Sequence, residues 1–150
     1  KQTQQIAEGT HFSALSTGSF SQLNDYVLPV APGMEIQGKV FMGQTLQTTG
    51  AEISFQSFAP GKEPVSFNAP DNEELYIFVS GKGEFQVDGQ VFPVGEGSVV
   101  RVAPEGKRSV RNNGTEPLIM ICVQYKAQTF TAQDAADGQL LQEPVNGNTL

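Results

Sequence analysis

The stretch GKEPVSFNAPDNEELYIFVSG, residues 61–81, decides how the rest of the chain is read. A run of turn-forming residues leads straight into an apolar strand, with Glu73 and Glu74 at the junction. By the period of two, Leu75, Ile77 and Val79 share one face while Glu74, Tyr76 and Phe78 share the other. Both faces are apolar beyond position 74, so the strand is expected to be central and covered on two sides. Glu74 then points the same way as two aromatic rings, where a carboxylate requires a partner or a proton. Glu73, one step out of phase, is expected at the loop surface.

On either side the chain reads as short strands separated by turns. Ser19 to Gln22 has capping-box spacing, and Leu23, Tyr26 and Val27 follow at helical intervals, which predicts one short helix ended by residues 29–33. Residues 39–42 and 51–58 read as strands, the second with Ile53 and Phe55 alternating against Ser54 and Gln56. Beyond the central strand, 83–87 and 90–94 are joined by Asp88-Gly89, a dipeptide suited to the positive φ of a two-residue type I′ turn. Pro93 limits the second of these strands to an edge or to its last ladder position. Further strands follow at 98–102, 107–111 and 118–125, with turns at 95–97, 104–106 and 112–114. Strands recurring every roughly eight to twelve residues, with no long helix, predict an all-β jelly roll. The expected organisation is an N-terminal arm and short helix over 1–37, a barrel over 38–126, and a polar tail over 127–150.

Composition narrows the function classes. Sixteen acidic against nine basic residues give a net charge of -7, with neither a basic stripe nor a basic tail, so nucleic acid and anionic membranes are not expected partners. No apolar run is long enough to span a bilayer. A single cysteine, Cys122, excludes an internal disulfide and sits mid-strand among apolar residues, where a buried, inert thiol is expected. The single histidine, His11, rules out a multi-histidine metal site within one chain. Residues 1–10 lack the apolar core of a signal peptide, and a cytoplasmic location is the expectation.

The central stretch resembles the first motif of the cupin superfamily, G-x5-H-x-H-x3,4-E-x6-G, through Gly61, Glu74 and Gly81. Its two histidine positions hold Phe67 and Ala69. The second motif, G-x5-P-x-G-x2-H-x3-N, maps onto Gly97, Pro104, Gly106, Ser109 and Asn113, with one extra residue before the proline and Ser109 at the histidine position. The similarity covers residues 38–125, and the run 72–89 resembles a small single-domain bacterial cupin. It implies a double-stranded β-helix barrel, and in metal-binding members three histidines and a glutamate projecting into it.

Here only Glu74 of those four ligands remains. One carboxylate does not hold iron, manganese or zinc, so no metal and no cofactor is expected. Glu74 reads either as a carboxyl with a raised pKa poised as acid or base, or as a remnant hydrogen-bonded to Ser109, Tyr76 or water. With Ser109 taken as inward, the period of two sends Lys107 and Arg111 inward and Arg108 outward. Arg111 then either meets a ligand carboxylate or phosphate at the barrel mouth or pairs with Glu74 or another carboxylate. Phe67 either lines an apolar cavity with Phe55, Tyr76, Phe78 and Met120, or itself fills the volume of the missing metal and imidazoles. The candidate ligand-binding residues are Phe67, Ala69, Glu74, Tyr76, Ser109 and Arg111. Two functions follow. The favoured one is a metal-free, non-enzymatic binding or interaction module for an acidic or sugar-like molecule, forming a homodimer through the outer face of the central strand. The other is a metal-independent isomerase or epimerase using Glu74 and Tyr76, a chemistry that in the family leans on a histidine absent here.

Overall fold

The chain forms twelve strands, seen in a computed structural model that describes residues 1–62, 66 and 68–143. They are β1 (Gln4–Glu8), β2 (Ser13–Ser16), β3 (Val27–Ala31), β4 (Met34–Gln37), β5 (Lys39–Phe41), β6 (Glu52–Phe58), β7 (Asn72–Ser80), β8 (Lys82–Val87), β9 (Gln90–Gly95), β10 (Val99–Val102), β11 (Arg108–Arg111) and β12 (Leu118–Lys126). The eight strands from β5 onward coincide with those expected from the sequence, each end within two residues.

Those eight strands form two hydrogen-bonded sheets. Five strands pair in the order β10-β7-β12-β6-β5, and three in the order β11-β8-β9. The expected barrel is therefore two facing sheets that share a core, rather than one continuous ladder. That core takes Tyr76 and Phe78 from β7, Phe85 from β8, Val94 from β9, Val110 from β11, and Leu118, Met120 and Cys122 from β12. Rings hold it together: Phe85 lies 5.0 Å from Tyr76 and 6.1 Å from Phe78, both edge to face, and stacks on Phe92 at 5.7 Å. Phe78 and Phe85 are 0% exposed, a burial that stabilises by about 1.5–3 kcal/mol for each side chain.

β7 lies between β10 and β12, the central position its two apolar faces require. Its alternation is as expected, with Glu74, Tyr76 and Phe78 buried and Leu75, Ile77 and Val79 on the other side. That second face is only half-buried. Leu23 and Tyr26 cover one end of it, packing with Ile119 against Val40, Phe55 and Val79. Gly81 closes the strand with φ +86°, and a Cβ there would stand 2.3 Å from the Pro117 carbonyl oxygen, so the last glycine of the first motif is a steric requirement.

β8 and β9 turn through Asp88 (φ 51°) and Gly89 (φ 87°), both in the left-handed region a type I′ hairpin needs. Pro93 pairs with Glu84 on β9, the edge of its sheet. The N-terminal 37 residues hold more structure than an arm. Two ribbons, β1–β2 and β3–β4, flank a 3-10 helix at Phe20–Asp25, with the Ser19 side chain accepting from the Ser21 amide; it is shorter than the helix expected, since Tyr26 is extended and Val27 already opens β3. A single turn, α1 (Gly43–Leu46), and a second 3-10 helix at Ala132–Asp137 were not signalled by any sustained period. No helix among the described residues is long and apolar enough to cross a membrane.

Candidate functional site

The inward positions of β7 place Glu74 and Tyr76 side by side, and their neighbours on β11 and β12 decide their chemistry. Tyr76 Oη donates to Glu74 Oε1 at 2.6 Å, and Cys122 Sγ donates to Glu74 Oε2 at 3.2 Å. Arg108 enters from β11, with Nη1 donating to Glu74 Oε1 at 2.5 Å and to Tyr76 Oη at 3.3 Å. The rest of the guanidinium is held by backbone carbonyls. Nε donates to Gly106 at 3.0 Å, and Nη2 donates to Ala103 at 3.0 Å and Gly106 at 2.8 Å. The Arg108 side chain is 0% exposed and that of Glu74 6%, so the ion pair is fully inside the fold.

A desolvated charge pair persists only when hydrogen bonds satisfy both partners. Here they do: among the described residues no buried side-chain nitrogen or oxygen lacks a hydrogen-bond partner. The surroundings shift accordingly. Burial, then the bond to Glu74, pushes the Tyr76 phenol far above its ordinary range. Burial, then the charge of Glu74, does the same to the Cys122 thiol, which keeps it protonated and inert. Lys39, on the inward side of β5, is pulled below its ordinary value by burial, an effect opposed by Cys122 and Glu74. Its Nζ sits 4.9 Å from the centre of the Phe41 ring.

The structure brings together two of the six candidate residues, Glu74 and Tyr76. Phe67 lies outside the described residues. Ala69 is half-buried in the connection before β7, where its carbonyl accepts from the Asn72 amide. Ser109 and Arg111 are corrected. Ser109 pairs across the ladder with Gln86 and its hydroxyl reaches that side chain at 3.4 Å, on the side of β11 opposite Arg108. Arg111 is a surface residue in an ion pair with Glu84, its side chain 56% exposed. Its sequence alternative, a pair with some other carboxylate, is the one observed.

The error is a single step of register, which exchanges the two faces of a strand. Counting from Gly97, the second motif reaches its histidine at the eleventh residue, which is Arg108. The extra residue before Pro104 is taken back in the turn after Gly106. The motif's asparagine is then Asn112, 2% exposed, whose Nδ2 donates to the carbonyls of Phe58 at 2.8 Å and Glu116 at 2.7 Å. The pairs Arg108-Ser109 and Asn112-Asn113 let either frame fit, and only the overall spacing favoured the right one. Glu73 faces out as expected and binds Arg101 at 2.7 Å. It also holds the hydroxyl of Tyr125, whose pKa is pushed up to about 12 by burial and by that bond.

These residues do not fit the metal that the cupin resemblance implies. A guanidinium stands at one ligand position and a methyl group at another. The remaining carboxylate already receives Arg108, Tyr76 and Cys122. Among the described residues no group of three or more His, Cys, Asp or Glu is arranged to hold an ion.

Beyond Glu74 the strands open onto a cleft of about 640 Å³, walled by α1 and the chain ends of β6, β7 and β12. Asn72 Nδ2 donates to Gln124 Oε1 at 2.6 Å across its floor. A second cleft of about 430 Å³ lies on the other side of Tyr125, against Leu75 and Phe130.

Residues 54–124 match the family model of the cupin domain. A crystallised cupin protein of Bacteroides fragilis is 31% identical with a TM-score of 0.62, over 69% of this chain and 88% of that one. An uncharacterized protein of Methanocaldococcus jannaschii is 30% identical over 54 residues, which are 36% of this chain and 43% of that protein, less than half its length. A predicted sugar phosphate isomerase of Acidithiobacillus ferrooxidans is 22% identical with a TM-score of 0.52, over 67% of this chain and 65% of that one, a likeness of fold alone. The motif glycines, the buried Glu74 and Asn112, the two-sheet core and this similarity agree: the chain belongs to the cupin superfamily.

Proposed function

We propose that the chain is a metal-free cupin whose former ligand pocket is a structural ion pair, and that it acts as a non-enzymatic binding or interaction module for a small acidic or sugar-like molecule. The observation that carries this is the Arg108–Glu74 contact, where a fixed guanidinium supplies the positive charge that an ion supplies elsewhere in the superfamily. An isomerase or epimerase would need a base that substrate can reach. Glu74 is 5% exposed and occupied by three donors, and the Tyr76 phenol is held protonated.

A homodimer belongs to this reading. Ile53, Leu75, Ile77, Ile121 and Val123 share the outer face of the five-stranded sheet, half-buried, and Val99 beside them is 62% exposed. A second copy would cover that face. The decisive experiment for the metal-free reading is elemental analysis of the purified protein, followed by thermal unfolding with added iron(II), manganese(II), zinc(II) or nickel(II). Substoichiometric metal and an unmoved transition are expected, because an ion bound only to the folded state must raise it. One tightly held ion per chain sinks the proposal.

A further inference from the structure

We propose that the cleft walled by α1 and the ends of β6, β7 and β12, one residue pair beyond Glu74, is a binding site for an uncharged polyhydroxyl ligand of the monosaccharide class. This rests on the reading of the interior as filled, and it assigns the ligand a place that the interior no longer offers.

The ladder fixes the location. Gln124 stands opposite both Glu52 and Glu74, and Asn72 stands opposite Lys126, so the cleft floor continues the inward row that carries Glu74 and Cys122. A ligand entering from that end meets Gln124 and Asn72 before it can reach the ion pair.

The chemistry of the walls selects the ligand. Four carboxamides, Gln44, Gln47, Asn72 and Gln124, line the cleft. Each offers a donor and an acceptor, as each hydroxyl of a sugar does. The Asn72–Gln124 bond uses one Asn72 hydrogen and Gln124 Oε1, which leaves Asn72 Oδ1 as acceptor beside the Gln124 NH₂ as donor. That adjacent pair complements two neighbouring hydroxyls. Among the described residues the charges in the lining are Glu52 and Lys126, of opposite sign, which cancel locally in a chain of net charge -7. Glu52 is held in place, its Oε1 accepting from the Gly43 amide at 2.6 Å and the Ile53 amide at 3.0 Å. Gly43 is required for that approach, since a Cβ there would lie 2.6 Å from the same oxygen.

The test is a titration of ¹⁵N-labelled protein with D-glucose, D-galactose, D-mannose and, as the anionic arm, D-glucuronate, followed through assigned backbone and side-chain amide resonances. Saturable shifts of the Asn72 and Gln124 side-chain amides with at least one neutral sugar are expected, with a dissociation constant of about 1 mM or tighter. The Gln124→Leu and Gln44→Ala variants, checked for an unchanged fold by their backbone spectra, should each weaken that binding by about tenfold. Absence of such shifts with all three neutral sugars, a response to glucuronate alone, or equal binding by both variants overturns the assignment. Sugar-induced shifts confined to residues around Arg108 overturn it as well, and they count separately against the filled interior.

Discussion

Strand β11 carries two arginines, and they make the same kind of contact in opposite surroundings. Arg108 reaches Glu74 between the sheets, where both side chains are at most 6% exposed. Arg111 reaches Glu84 on the outside, where the exposures are 56% and 27%. Inside, the charges have lost their water, and the pair is stable because Tyr76, Cys122 and the carbonyls of Ala103 and Gly106 complete the hydrogen bonding. Outside, water and salt already solvate each partner, so the contact adds little. The contrast teaches that burial and completeness of hydrogen bonding, and not the ion pair as such, make the interior arginine structural.

The comparison breaks if the two arginines tolerate truncation equally. Arg108→Ala is expected to cost about 3–5 kcal/mol in denaturant unfolding, because it leaves the Glu74 charge buried without its counter-ion. The double replacement Glu74→Leu with Arg108→Met sharpens the point. It removes both charges and should recover most of that loss, since well-packed apolar substitutes for a buried pair are often neutral or better. A double variant as unstable as Arg108→Ala would show that the pair itself, rather than the stranded charge, holds the sheets together.

Alkaline pH gives a smaller effect with a definite sign. The pKa values of Tyr76 and Cys122 are raised in the folded state, from ordinary values of 10.0 and 9.0, so their contribution is complete below those values and is lost progressively as pH rises from them toward the higher folded-state values. Lys39, with its pKa lowered, works in the opposite direction. The Tyr76→Phe variant isolates one of these groups: its stability should fall less than that of the parent between neutral pH and about pH 11. Equal slopes for the two proteins would contradict the phenol's placement. Smallest of all, Arg111→Ala should change stability by no more than about 1 kcal/mol, and by less as salt is added. A loss comparable to that of Arg108→Ala would erase the distinction between the two regions.

Most of the fold was legible because its signals are local. β7 announced itself by alternation with apolar residues on both faces, and the β8–β9 hairpin by Asp88-Gly89. The N-terminal ribbons were not legible. β3 and β4 are two-stranded, with Val27, Val30 and Met34 exposed, so no buried face imposed a readable period on them. The site was half legible. Glu74 and Tyr76 follow from the phase of β7, whereas the phase of β11 depends on a turn where two frames fit and only the overall spacing from Gly97 separates them. Arg108 looked like a surface residue because arginine usually is one, and nothing near it in sequence shows the carboxylate that takes it inside. Glu74 lies 34 residues away.

Residue identity and periods of a few positions are enough to read the strands from β5 onward, the motif glycines, the inward Glu74 and the loss of the ligand histidines from the amino-acid sequence alone. Which arginine meets that carboxylate, and that a cleft opens beside α1 at the ends of β6, β7 and β12, follow only from the folded arrangement. The physical reason is that a pairing across 34 residues is set by how two sheets dock, and a one-residue change in a turn reverses which side chains a strand sends into the core.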